Sequence, residues 1–91
     1  MAKVDVRMFA TVREAAGTPA IEVEASNLGE LLDVLAGQFG PQMARLISRA
    51  RKDSEQLVIL VNGRNTQLGG KGSATLQEGD EISIFPPVSG G

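Results

Sequence analysis

Apolar and polar side chains alternate from residue 3 to residue 9, with Val4, Val6 and Met8 on one face and Asp5, Arg7 and Phe9 on the other. A period of two predicts a β-strand with one solvated face. The alternation returns over residues 20–24, where Ile21 and Val23 point inward and Glu22 and Glu24 outward. This predicts a second strand, antiparallel to the first. Between the two, Thr11-Val12-Arg13-Glu14 has the spacing of a capping box, with Thr11 as N-cap and Glu14 three residues on. It predicts a short helical turn through Ala16, stopped by Gly17 and Pro19.

The period then changes. Leu28, Leu31, Leu32, Leu35 and Phe39 recur at three- and four-residue spacing, the apolar stripe of a helix. Asn27 is its expected N-cap, Glu30 its third helical residue, and Gly40-Pro41 its end. Gly29 and Gly37 each cost this helix about 1 kcal/mol relative to alanine, so it needs a sheet to pack against. Residues 42–49 predict a shorter helical piece on Met43, Leu46 and Ile47, and residues 51–56 a polar connector. Arg45, Arg49, Arg51 and Lys52 form a local positive cluster, either a solvated helix face or a docking patch for an acidic partner.

Residues 57–61 are a continuous apolar run, which fits a strand buried on both faces or one whose second face meets a partner. Asn62-Gly63 signals a tight hairpin, because both turn positions need positive φ. Residues 64–67 return as a brief strand and residues 68–72 form a loop. That glycine-rich loop lacks the strand and following helix that a phosphate cradle requires. A turn over residues 76–80, with Gly79 left-handed, leads into a last strand over residues 81–85, Ile82 and Ile84 inward, Ser83 and Phe85 outward. The order is α+β: a hairpin, then a helix that crosses over one face of a mixed sheet.

The last strand runs into Pro86 and Pro87, which have no N–H to donate to a ladder. The fold is expected to occupy residues 1–85, leaving residues 86–91 as a flexible tail that reaches about 20 Å when extended. The prolines stiffen its base, and Gly90 and Gly91 leave its tip without side chains. The ordinary reading of such a segment is a frayed end. At ~7% glycine, a terminal Gly-Gly arises by chance in roughly 0.5% of chains; placed behind Pro-Pro and a final strand, it points to a tail threaded into another protein's site.

Composition narrows the chemistry. The 91 residues make one small domain of net charge −2, with no electrostatic case for nucleic acid or an anionic membrane. No apolar run is long enough to span a bilayer, and the N-terminus is too short and polar for a signal peptide, so a cytoplasmic protein is expected. Cysteine, histidine, tyrosine and tryptophan are absent. A thiolate nucleophile, the commonest general base and the usual soft metal ligands are thereby excluded. A carrier or binding module is expected rather than an enzyme, holding no metal or cofactor of its own.

Phe85-Pro86-Pro87-Val88-Ser89-Gly90-Gly91, preceded by Glu78-Gly79-Asp80-Glu81-Ile82, closely resembles the end of the molybdopterin synthase small-subunit family. Phe9-Ala10-Thr11-Val12-Arg13-Glu14 is similar to the family's segment after its first strand, and Val61-Asn62-Gly63-Arg64 to its central hairpin. The resemblance covers essentially the whole chain. Residues 48–56 and 68–73 look longer than in compact bacterial members, more like a form common in archaea, where small modifiers that attach to protein lysines share the architecture. The thiamine-pathway carrier also shares fold and Gly-Gly, but Phe-Pro-Pro-Val is similar to the molybdopterin branch.

The resemblance implies a β-grasp, or ubiquitin-like, fold. Its mixed sheet would have about five strands in the order second, first, fifth, third, fourth. One main helix would cover one face, with short extra helical turns. It implies that Gly91 is the reactive residue, adenylated by an E1-like enzyme that uses ATP and magnesium, then converted to a thiocarboxylate. The sulfur would pass to a pterin precursor on the molybdopterin synthase large subunit, for the molybdenum or tungsten cofactor. The alternative is an isopeptide bond from Gly91 to lysines of target proteins. Gly90, Ser89, Val88, Pro87, Pro86, Phe85 and Phe9 are the expected tail and partner-binding residues, with one of Val58 or Leu60 beside them. Competing placements put Phe9 under the turn over residues 12–16 and Phe85 against the helical piece after Pro41.

Overall fold

The computed structural model describes residues 2–52, 57–65 and 75–86. Strand β1 (Ala2–Met8) buries Ala2, Val4, Val6 and Met8 and exposes Lys3, Asp5 and Arg7. It pairs antiparallel with β2 (Ala20–Ala25), Val4 opposite Val23. On its other side it pairs parallel with β5 (Glu81–Phe85), Val6 opposite Ile82. Strand β3 (Val58–Val61) pairs antiparallel with β5 and with the short β4 (Arg64–Asn65). The sheet order is β2-β1-β5-β3-β4, the β-grasp arrangement, with the last strand at its centre.

Helix α1 (Ala10–Ala16) starts earlier than its sequence suggests. Phe9, not Thr11, is the N-cap, and no side chain caps it. The Phe9 carbonyl accepts from the N–H of Val12 and of Arg13 at 3.1 and 3.3 Å, while its own N–H donates to the Ile84 carbonyl at 3.1 Å. Strand pairing thus fixes Phe9 where its carbonyl collects the first helical donors, and the hydroxyl of Thr11 is not needed. The chain passes from strand to helix with no spare residue, and Ala10 takes φ +52° to make the turn. Alanine in this region costs about 1–2 kcal/mol, more than the ~0.5–1 kcal/mol of extra chain entropy that glycine would lose on folding. Ala10→Gly is therefore expected to raise the urea midpoint slightly, and a lower midpoint would contradict the assignment of strain. Gly17, at φ +75°, closes the helix as expected, its N–H on the Arg13 carbonyl at 2.8 Å.

Helix α2 (Leu28–Phe39) follows the predicted cap. Asn27 Oδ1 accepts from the Glu30 N–H at 2.8 Å, and Glu30 Oε1 accepts from the Ser26 N–H at 2.9 Å, one residue before the partner a capping box would name. Leu28, Leu31, Leu32 and Leu35 enter the core. Helix α3 (Pro41–Lys52) is as long as α2, so one face of the sheet carries two full helices rather than one and a short piece. Residues 51 and 52, expected in the connector, belong to it. Met43, Ile47 and Ala50 form its buried row, and Ala50 extends that row by a turn although it is small. Arg51 anchors the added turn to α2, donating to Asp33 Oδ1 at 2.7 Å and to the Gly29 carbonyl at 3.0 Å.

Asn62 and Gly63 adopt φ +53° and +85°, the positive pair that the hairpin between β3 and β4 requires. Asn62 does more than turn. Its amide donates to Asp80 Oδ1 and accepts from the Glu81 N–H, both at 2.9 Å, and Asp80 Oδ2 accepts from the Gln77 N–H at 2.8 Å. Asp80 thus ties the hairpin to the turn that launches β5. Loss of two charge-assisted bonds at a half-exposed site is expected to cost roughly 1–2 kcal/mol, so Asp80→Ala should lower Tm by about 5–15 °C. An unchanged Tm would mean that water replaces the carboxylate without loss. The expected strand residues 66 and 67, the loop over 68–72 and the connector residues 53–56 lie outside the described residues.

A candidate docking face around the exit of the last strand

Both helices pack on one face of the sheet, where Ile59, Ile82 and Ile84 are buried. The other face is open. Register places Val58 opposite Phe85 and Leu60 opposite Ser83, so Val58 and Leu60 both share that face with Phe85, where only one of them was expected. Both are half-buried, so β3 is not fully buried on both faces. The parallel register sets Arg7 beside Ser83 and brings Phe9, the next outward residue of its strand direction, to the end of β5.

Phe9 and Phe85 meet edge to face, ring centroids 5.5 Å apart at 83°. Phe9 remains 44% exposed, one of two large apolar side chains so open among the described residues. The alternative placements of Phe9 under α1 and of Phe85 against α3 give way to this pair. Arg7 and Glu81 form an exposed ion pair at 3.3 Å on the same face. An open furrow of about 420 Å³ flanks Phe9, lined in part by Arg7, Arg13 and Ile21. The exposed Phe9 beside the half-buried Phe85, Val58 and Leu60, with the Arg7–Glu81 pair on the same face, makes this face the candidate interaction surface.

Pro86, half-buried, follows Phe85. The chain therefore leaves the sheet from its central strand, beside the aromatic pair. The candidate residues Pro87, Val88, Ser89, Gly90 and Gly91 lie outside the described residues. Among the described residues no three or more of Asp and Glu gather as a metal cluster would, and no helix is long and apolar enough to cross a membrane. Sequence periodicity missed the pairing of Arg7 with Glu81, because it depends on parallel pairing of strands 74 positions apart, which no local pattern encodes.

A family model described as the ThiS family matches residues 6–91. Small archaeal modifier protein 1 of Haloferax volcanii is 32% identical over 88 residues, covering 93% of this chain and 97% of that one. A crystal structure of that small archaeal modifier protein matches with TM-score 0.73 and 29% identity over 97% of this chain and 100% of the other. The molybdopterin synthase sulfur carrier subunit of Mycobacterium tuberculosis is 35% identical over 95 residues, spanning 100% of both chains. A complex of subunits 1 and 2 of the molybdopterin-converting factor from Helicobacter pylori contains a similar chain, with TM-score 0.62 and 25% identity over 98% of this chain and 99% of that one.

Proposed function

From the premise that the chain belongs to the ThiS family, we propose that it is a ubiquitin-like sulfur carrier that works through its C-terminal carboxylate. The observation that carries this reading is the position of β5: the central strand ends at Phe85 on an open apolar face, so a protein gripping that face receives the tail. In this reading Gly91 ends the chain. Its α-carboxylate, like peptide C-termini in general, is ionised at neutral pH and inert toward weak nucleophiles.

Activation overcomes that inertness. A carboxylate oxygen of Gly91 attacks the α-phosphorus of ATP on an E1-like partner, the bond to pyrophosphate breaks, and an acyl-adenylate forms. A sulfur nucleophile then displaces AMP, and the carbonyl carbon ends as a thiocarboxylate. ATP and magnesium belong to the partner. Gly90 and Gly91 suit this step because a narrow site around the tail has no room for a Cβ. The molybdopterin synthase large subunit is the proposed sulfur acceptor's host, supported by the similarity to a molybdopterin synthase sulfur carrier subunit and by the two-subunit complex that holds a similar chain.

A second reading, transfer of the activated Gly91 to lysine amines of target proteins, is favoured by the similarity to small archaeal modifier protein 1. Both need the same adenylate. The intact mass of untagged protein from its own cells separates them. A species with one oxygen exchanged for sulfur is expected for the carrier, and higher-mass conjugates that persist in denaturant for the modifier. Neither species, with only unmodified protein even after thiocarboxylate-trapping, would count against both.

A further inference from the structure

Residues 41–52 hold four of the nine Lys and Arg residues of the chain and no Asp or Glu. Without them, five basic residues stand against eleven acidic ones, a balance of −6. So strong a separation in a protein of net charge −2 needs a reason, and fold stability supplies only part of it. Arg51 is occupied by Asp33 and the Gly29 carbonyl. Arg49 and Lys52, both in the last turn, favour the negative end of the helix dipole. Neither explanation reaches Arg45, which lies two turns from the end of α3.

Arg45 and Arg49 stand one helical turn apart and are exposed. Among the described residues neither has an ion-pair or hydrogen-bond partner. Together with Thr11, Gln42 and the half-buried Leu46 they line a furrow of about 280 Å³ between α1 and α3. Thr11 is two residues beyond Phe9 on α1, which packs against both α3 and β5, so the furrow lies on the helical side of the molecule and is joined to the aromatic pair through α1.

We infer that this furrow is a second contact for the protein that docks on the Phe9–Phe85 face, and that its occupant is a short acidic segment of that protein; the inference rests on the docking reading above. Arg45 and Arg49 are set about 6 Å apart along the helix axis. Carboxylates at i and i+4 of a partner helix, or at i and i+2 of a partner strand, have nearly that spacing. Each guanidinium can hold a carboxylate through two parallel hydrogen bonds. Leu46 offers an apolar surface to the side chain between them. An extended polyanion would run from these two residues onto a surface whose balance is −6, whereas a short acidic segment ends where the positive charge ends.

The test is ATP–pyrophosphate exchange by the activating enzyme from the same cells, titrated with the full chain. Arg45→Glu/Arg49→Glu is expected to raise KM for the chain tenfold or more with kcat within twofold, because a remote contact contributes uniform binding. The difference should shrink as salt rises. Lys52→Glu reverses one charge on the same helix outside the lining of the furrow, and its KM should stay within twofold. Arg45→Gln/Arg49→Gln, with unchanged circular dichroism and Tm, should show a smaller rise in KM. An unchanged KM in both furrow variants, or equal rises in the furrow and control variants, would overturn the inference while the docking reading stands. Loss of binding to phosphatidylserine vesicles with unchanged KM would give the furrow to a lipid surface and overturn it too. No exchange with the unaltered chain would overturn the docking reading and this inference together.

Discussion

Deletion of Gly91 is expected to abolish ATP-dependent activation while leaving Tm unchanged. The two halves of this expectation have separate origins. Ile84 is the last buried residue of the core and Phe85 the last residue of β5, so the described core contains nothing contributed by the tip of the tail. Stability should not register the loss. Reactivity should, because the truncated chain presents the carboxylate of Gly90 instead, drawn back by about 3.3–3.6 Å. A displacement of ~1 Å from a productive geometry already costs on the order of 100-fold. A larger retraction is expected to take exchange below detection, and added ATP should not restore it. A variant that activates normally would remove Gly91 from the chemistry. One that melts early would mean that the tail belongs to the fold.

Replacement of Phe9 is expected to have the next largest effect, on docking rather than on the activated group. The ring is 44% exposed and leans edge-on against Phe85. Phe9→Ala removes that pair, worth roughly 0.5–1.5 kcal/mol, and Tm should fall by about 4–8 °C for each kcal/mol lost. An aromatic anchor at the centre of an interface contributes ~2 kcal/mol or more, so Kd for the partner should rise at least about 30-fold. Titration calorimetry against the isolated large synthase subunit or the activating enzyme reads this directly. A Kd within about twofold of the unaltered chain, at an interface where hot spots are worth that much, would place docking elsewhere.

How far the sequence carries depends on how local each determinant is. Asn62-Gly63 was legible because the hairpin demands positive φ at adjacent positions, and both residues tolerate it. The cap of α2 was legible because Asn27 and Glu30 sit three residues apart, although the reciprocal bond goes to Ser26. The start of α1 was not. Thr11 and Glu14 have the right spacing, but pairing with β5 places the Phe9 carbonyl where it takes the first donors. The extra turn of α3 was hidden because Ala50 is too small to mark an apolar stripe and the partner of Arg51 lies 18 residues away. The link from Asn62 to Asp80 also spans 18 residues.

The candidate site divides in the same way. The alternation of β5 put Phe85 outward, and the structure agrees. That Phe9 is its neighbour follows from parallel pairing of the first and last strands, which the pattern alone did not dictate; the family resemblance supplied that order. The positive cluster on α3 was visible as composition. Only folding separates Arg51, bound to α2, from Arg45 and Arg49, left open beside α1.

The most direct test combines the full chain with its activating enzyme, ATP and a sulfur donor, and follows intact mass with time. The account predicts an acyl-adenylate at Gly91 before the donor is added and a thiocarboxylate after it, both absent when Gly91 is deleted. Enzyme that is active on another carrier but leaves this chain unmodified would contradict the central claim, and the protein would then be an interaction domain with an inert tail.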